Sequence, residues 1–343
     1  MPHPSQHRYG MTLPVPAPLG EHPAIARRLT EAGYTDIWSI EVDGLDGFTP
    51  LALAATGAPG AHLGTAIVSP FTRGPALLAM TAASLAELAP GRFHLGLGAA
   101  SRPIVHNWNG AAYDKPYQRV RDTVRFLRAA LAGERVAERY ETFEVQGFRL
   151  TRPPQSPPPI YLAALREGML RLAGREADGA ILNWLSADDV AKVAPYVHEG
   201  GPGKEIVCRM FVCPTGDADA ARAAFRRMVT FYLNVPGYAA YQRWLGRADQ
   251  LQPMWDAWAR GDRREALAAV PDVLIDDLLV HGTPDQCRAH IQRYVAYGVT
   301  VPVVMLVDAG DGADPVEQAL SLAPVEKPAR QIPGAGTELV GEH

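Results

Sequence analysis

The sequence predicts an α/β protein built as a (β/α)8, or TIM, barrel with insertions, and three observations carry that prediction. Short apolar runs alternate with amphipathic stretches along most of the 343 residues, the signature of repeated β-α units and a parallel sheet. Eight such strand candidates can be counted, and eight parallel strands close into a barrel. The alternative, an open doubly wound sheet, would place a glycine-rich phosphate loop after the first strand, where this chain has Thr12-Leu13-Pro14-Val15-Pro16. Length alone would also suit two domains, at roughly 100–200 residues each, but barrels run to about 250 or more as one unit. The chain, residues 1–343, is therefore read as a single barrel domain.

The first strand is expected at residues 8–13, followed by a helix at 23–32 that Gly33 ends. A second strand at 36–40 and a short helix at 49–56 come next, then a third strand at 62–68 that Ser69-Pro70 ends. Residues 74–89 are alanine-rich and helical, closed by Pro90-Gly91, and the fourth strand, 93–98, follows at once. Val120, Val124, Leu127 and Leu131 recur at helical spacing within 117–131, with arginines between them. Residues 136–150 alternate as a β-hairpin, and the prolines of 153–159 mark a connector, since they cannot donate to a ladder.

Strands at 160–163, 179–183 and 206–212 alternate with helices at 169–176 and 187–197. Residues 217–280 are helix-rich and too long for one barrel helix, so they read as a helical insertion before the last strand. A helix at 284–297, ended by Gly298, leads to the eighth strand at 301–307, and a tail rich in Pro and Gly occupies about 309–343.

Hydrophobic residues make up 47% of the chain and charged residues 20%, with 33 Lys and Arg against 37 Asp and Glu, for a net charge of −4. Without a concentrated basic face the chain has no electrostatic means of holding a phosphate backbone, so nucleic acid is not an expected partner and a small-molecule substrate is. Only Cys208, Cys213 and Cys287 occur, an odd count without paired spacing that argues against a disulfide framework or a Cys-rich zinc site, and no metal is expected. A reducing, cytoplasmic location fits that count. No run reaches the ~20 apolar residues that cross a bilayer, so no membrane partner is expected either.

In a barrel the loops past the strand C-termini carry the chemistry. The second strand runs into Glu41-Val42-Asp43-Gly44, which brings two carboxylates to the mouth; a solvated turn is the competing reading. The fourth runs into Gly98, Ala99, Ala100 and Ser101, small residues that allow close backbone approach by a ligand, and then to His106 and Trp108. The fifth runs through Ala163, Ala164, Leu165 and Arg166 into Glu167, Gly168 and Met169 at a helix start, where free N–H groups beside an arginine would suit a phosphate unless Arg166 pairs with Glu167.

Several segments together resemble the bacterial-luciferase-like superfamily, in particular the branch that uses the deazaflavin coenzyme F420. They are Leu63-Gly64-Thr65-Ala66-Ile67-Val68-Ser69-Pro70-Phe71-Thr72-Arg73, Gly91-Arg92-Phe93-His94-Leu95-Gly96-Leu97-Gly98, Leu172-Ala173-Gly174-Arg175-Glu176-Ala177-Asp178-Gly179 and His281-Gly282-Thr283-Pro284-Asp285-Gln286. The resemblance implies a TIM barrel with an insertion before the last strands and a non-prolyl cis peptide at Ala66-Ile67, in a bulge through Val68 that props the cofactor ring. It implies cofactor contacts from Gly98 to Ala100, from Ala163 to Met169 and at Asn183. Relatives that oxidise sugar phosphates carry a histidine where this chain has Val42 and a glutamate where it has Ser101, which argues against that substrate class.

The resulting expectation is an F420-dependent reductase or dehydrogenase that moves a hydride between the deazaflavin C5 and a small organic substrate. Glu41, Ser101 and His106 are the candidates for proton transfer, and Asp43, Trp108 and Trp184 for the substrate pocket, although either tryptophan would equally serve as core. Two rival readings stand beside it, an FMN-dependent monooxygenase on the same barrel and a non-catalytic flavin-binding barrel. The oligomeric state stays open, a homodimer included.

Overall fold

The structure, a computed structural model, describes residues 8–13 and 17–324, so Pro14-Val15-Pro16 and residues 325–343 of the expected tail lie outside the described part. In chain order the elements begin β1 (Gly10–Thr12), α1 (His22–Ala32), β2 (Asp36–Ser39), α2 (Thr49–Gly57), β3 (His62–Thr65), α3 (Pro75–Leu88), β4 (Phe93–Leu97) and α4 (Pro116–Leu131). The hairpin β5 (Val136–Arg139) and β6 (Glu144–Phe148) follows, then β7 (Ile160–Ala163), α5 (Glu167–Glu176), β8 (Gly179–Leu182), α6 (Ala187–His198) and β9 (Glu205–Cys213). The long insertion holds α7 (Ala218–Tyr232), α8 (Pro236–Trp244), α9 (Ala248–Ala259), α10 (Arg263–Ala268) and α11 (Asp272–Leu278). The chain then forms β10 (Leu279–His281), α12 (Pro284–Ala296), β11 (Val301–Leu306) and α13 (Pro315–Ser321).

Eight strands pair in parallel in the order β1-β2-β3-β4-β7-β8-β9-β11, and β11 returns to β1, so the sheet closes as the expected barrel. The helix-rich insertion expected over 217–280 ends in a ninth strand that the sequence did not announce, β10, which pairs with β9 from Leu279↔Phe211 to His281↔Cys213. On that flank β8 pairs only as far as Leu182↔Cys208, so β10 takes over the edge of β9 that β8 leaves. A three-residue strand that continues an apolar helix without a break has no pattern of its own to read. Part of the expected tail is helical as well, since α13 packs on α1, and the Tyr34 hydroxyl donates to the Ala319 carbonyl at 2.7 Å.

Alternation along each strand sends one set of side chains into the bore and the other toward the helices. The bore is filled by Trp38, Tyr161, Ile181, Val207, Val301 and Val303. Gly64 is required there, because a Cβ on it would lie 2.3 Å from the Trp38 ring. At the N-terminal ends of the strands Arg8 binds Asp36 and, at 2.9 Å, Glu205; His62 Nδ1 meets His94 Nε2 at 2.9 Å, and the Tyr161 hydroxyl donates to Glu205. This network plugs the closed end of the barrel.

Candidate active site

At the C-terminal ends of four adjacent strands the bore-facing positions become small. Two residues beyond Gly64, Gly96, Tyr161 and Ile181 stand Ala66, Gly98, Ala163 and Asn183, which the same alternation turns toward the bore. The Ala66-Ile67 peptide is cis. Val68 bridges to Leu97 beyond the regular ladder, so the strand-three bulge lies against strand four. Gly98 has no room for a side chain, since a Cβ would come within 2.7 Å of Ile67 and 2.9 Å of the Ala163 Cβ. The result is a low shelf across β3, β4 and β7, shaped to take a flat group.

Facing that shelf is Arg209. Its strand, β9, stands four places from β3 in the ring of eight, directly across the barrel. The side chain spans the bore and donates from Nη1 to the Ala66 carbonyl, while its Nε is buried and has no partner. Burial lowers its pKa, and the phenols of Tyr238 and Tyr232, with the Cys208 thiol, act in the opposite sense; no carboxylate among the described residues pairs with it. Trp38 Nε1 and Thr12 Oγ1 are likewise buried without partners. Thr12 pairs in register with Trp38, and Trp38 Nε1 lies beside Gly10 in the packed bore, where a Cβ on that glycine would come within 3.0 Å of it.

The insertion supplies the wall above. The Trp184 ring lies 4.4 Å from Phe211, 5.5 Å from Phe225, 5.2 Å from Tyr232 and 6.1 Å from Tyr238. Gln242 of α8 donates to the Trp184 carbonyl at 2.7 Å, tying the insertion to the end of β8. On the other side the Tyr113 hydroxyl donates to the Ala100 carbonyl at 3.1 Å, and burial raises the pKa of that phenol.

The luciferase-like monooxygenase family pattern matches residues 2–301. The chain belongs to that family. It is therefore an oxidoreductase by class. It is 27% identical over 285 residues, covering 80% of this chain and 86% of the relative, to the 5,10-methylenetetrahydromethanopterin reductase of Methanolobus tindarius. Among solved structures, the coenzyme F420 dependent tetrahydromethanopterin reductase of Methanopyrus kandleri superposes with a TM-score of 0.76 at 20% identity, over 93% of this chain and 97% of that one. An F420-dependent secondary alcohol dehydrogenase in complex with an F420-acetone adduct gives 0.75 at 16% identity, over 92% and 97%.

Within this luciferase-like barrel the sequence candidates fall into distinct settings. Glu41 is engaged on both oxygens by Arg73, with Nη2 to Oε2 at 2.6 Å, and its Oε2 also accepts from the Gly47 amide at 2.9 Å. Asp43 is exposed, Ser101 half-buried and Ala99 and Ala100 half-buried beside it, with Ala100 at φ +56°. His106 and Trp108 lie on the exposed side of a short π-helical turn, Pro103–Trp108, and 55% of Trp108 is accessible. Trp184 is only 2% accessible and sits inside the aromatic cluster rather than on an open surface. Arg166 and Glu167 do not pair; Glu167 instead binds Arg171 at 3.0 Å one turn on. The first turn of α5 has no side-chain cap, which leaves the N–H groups from Glu167 to Met169 to an outside acceptor, with Leu165 half-buried and Ala164 buried behind them.

The sequence reading missed Arg209, Tyr113, Arg73 and the pair Tyr232 and Tyr238. Only Arg209 left a signal. Ile206-Val207-Cys208-Arg209-Met210-Phe211-Val212 is an otherwise apolar strand buried on both faces, so its one charge has to point into the bore. Among the described residues no group of three or more His, Cys, Asp or Glu could hold a metal ion, and no helix is long and apolar enough to cross a membrane.

Proposed function

We propose that this luciferase-like barrel is a coenzyme F420-dependent oxidoreductase that exchanges a hydride with a small organic substrate. The shelf of Ala66, Gly98 and Ala163 carries the reading, because its own side chains are small and because Arg209, with an unpaired Nε, bonds to it at the Ala66 carbonyl. Both similar solved structures, the tetrahydromethanopterin reductase and the secondary alcohol dehydrogenase, are F420-dependent by name. When bound, the deazaflavin supplies two-electron hydride chemistry at C5.

The chain's own task is positioning, since holding donor and acceptor carbons in line supplies much of the rate. Ala66, Ile67 and Val68 back the ring, and Gly98, Ala99 and Ala100 let it approach the backbone. The free N–H groups of Glu167, Gly168 and Met169, with the exposed Arg166, hold the first phosphate. Asn183 closes the shelf on the β8 side. Tyr232, Tyr238 and the Trp184 cluster exclude water from the substrate side.

Of the three candidates for moving a proton, Glu41 is committed to Arg73 and His106 faces solvent. Ser101, half-buried beside the shelf, is the hydroxyl best placed to relay one, as it can both donate and accept.

The test is to titrate the purified chain with F420 and with FMN and follow fluorescence quenching, then to assay each reduced form with and without oxygen. Binding of F420 and oxygen-independent oxidation of its reduced form by an organic acceptor are expected. Binding of FMN alone, with oxygen consumed, would replace this reading by a monooxygenase; tight binding without turnover would reduce it to a flavin-binding barrel.

A further inference from the structure

We propose that Arg209 is the recognition residue for a planar anionic group, an O–C–O or N–C–O unit carrying one negative charge, brought into the bore by a ligand of this site. The inference extends the functional reading above and shares with it the position of the ligand.

A guanidinium has five N–H donors in one plane and no accepting capacity, and it keeps its charge in proteins. One donor of Arg209 goes to the Ala66 carbonyl, Nε is buried without a partner, and the neighbours that act on its charge are two phenols and a thiol. Arg209 is partly buried, with its Nε fully so, and a charge held there without a counter-ion is costly because a neutral carbonyl does not compensate it. The spare donors of Arg209, beside a shelf that gives it no carboxylate, call for an acceptor from outside the chain, and the edge of a guanidinium matches a two-atom anion in one plane.

Two ligands of a hydride-transfer site could present that chemistry. Adding a hydride to C5 of a neutral deazaflavin leaves one negative charge shared over the N1–C2–O edge of the ring. Alternatively the substrate carries a carboxylate. The experiment separates these sources.

Wild type, Arg209→Met and Arg209→Lys would be compared as full-length protein by equilibrium binding and thermal shift, with no turnover needed. The first arm compares oxidised with reduced F420. The second compares benzoate with the neutral isostere benzamide, in the presence of oxidised F420 and again without it. In one arm the wild type should favour the anion by about tenfold or more, and Arg209→Met should erase that preference while the neutral ligand's affinity changes less than about threefold. Arg209→Lys should keep part of it, because it retains charge but loses the planar fork. Preference in the first arm assigns the charge to the cofactor, and in the second to the substrate.

No anion preference in either arm of the wild type overturns the proposal, as does a preference that survives in Arg209→Met. Should Arg209→Met not fold, Arg209→Lys decides, and an undiminished preference there overturns the planar recognition. Failure of F420 to bind at all would sink the functional reading, while the benzoate arm without cofactor would still judge Arg209.

Discussion

Two arginines enter the bore of this barrel, one at each end, and their surroundings are opposite. Arg8, at the closed end, meets Asp36 and Glu205 and lies against His94, with Tyr161 bonded into the same network. Arg209, at the open end, has a carbonyl, two phenols and a thiol for company and an Nε without a partner. A chain that can surround a buried guanidinium with two carboxylates at one end has the means to do so at the other. The contrast separates a charge that holds the fold together from a charge kept available for something that binds.

The contrast can be broken most forcefully at Asp36, whose side chain is fully buried. Asp36→Asn leaves Arg8 partly uncompensated and should cost about 3–5 kcal/mol in denaturant unfolding. A loss under about 1 kcal/mol would mean the plug is incidental to stability.

The same network predicts a pH dependence. Burial, reinforced by the Arg8 charge, pushes His94 down to about 3 from its ordinary 6.5. The unfolded chain therefore binds a proton that the folded chain refuses between those values, so the contribution is full above about pH 6.5 and is lost as pH falls toward 3. Asp36, held below its ordinary 3.8 because Arg8 outweighs the opposing effect of burial, adds loss only below about pH 4. Unfolding free energies measured from pH 7 to 4 should fall steadily, and His94→Gln should flatten the slope. A flat profile in the wild type would refute the assignment.

Gly64 lies between the two ends, and Gly64→Ala pushes a methyl into the Trp38 ring, at a cost of about 1–3 kcal/mol. The thermal midpoint would report it, and no change would show that Trp38 can move.

At the mouth the expected effects shrink. Glu41→Gln keeps an acceptor for Gly47 but removes the ion pair with Arg73, two side chains that are 19% and 17% accessible, and should cost about 1–2 kcal/mol. Its turnover should follow the folded fraction, whereas Ser101→Ala should lower kcat by about tenfold or more with stability unchanged; the reverse pattern would restore Glu41 to the proton-transfer role. Arg209→Met should be the smallest in stability, within about 1 kcal/mol of wild type and on the favourable side, since a partly buried charge without a counter-ion is being replaced by an apolar chain. A large loss would show that the bond to Ala66 is structural.

The barrel itself was readable because period-2 and period-3.6 patterns alternate cleanly from Gly10 to Leu182, and each helix there carries an apolar face or a proline or glycine at its end. Reading failed where pattern gives way to contact. The start of α5 was set two residues late, at Met169 instead of Glu167, because Gly168 looks like a breaker and only the docked turn shows that it is not. Trp184 reads alike as pocket wall or core until Phe225 and Tyr232, some forty residues on, are seen packed around it. The Glu41–Arg73 pair joins two loops that no local spacing relates. The strand ends that form the shelf could be named from order alone; which donors among them lack partners could not.

The exchange of neighbours along β9 has a consequence for how this protein breathes. On one flank β9 is paired by β8 along its first half and by β10 at its end, and the residues of β10 reach that edge only after the whole insertion has been traversed. The insertion can then detach, taking the three-residue β10 with it, while the ring formed by the other eight strands remains intact. Amide exchange should accordingly run in two classes along a single strand, slow where β9 bonds to β8 or β11, Val212 included, and faster at Phe211 and Cys213 on the edge that β10 covers, with ligand binding at the mouth slowing only the second.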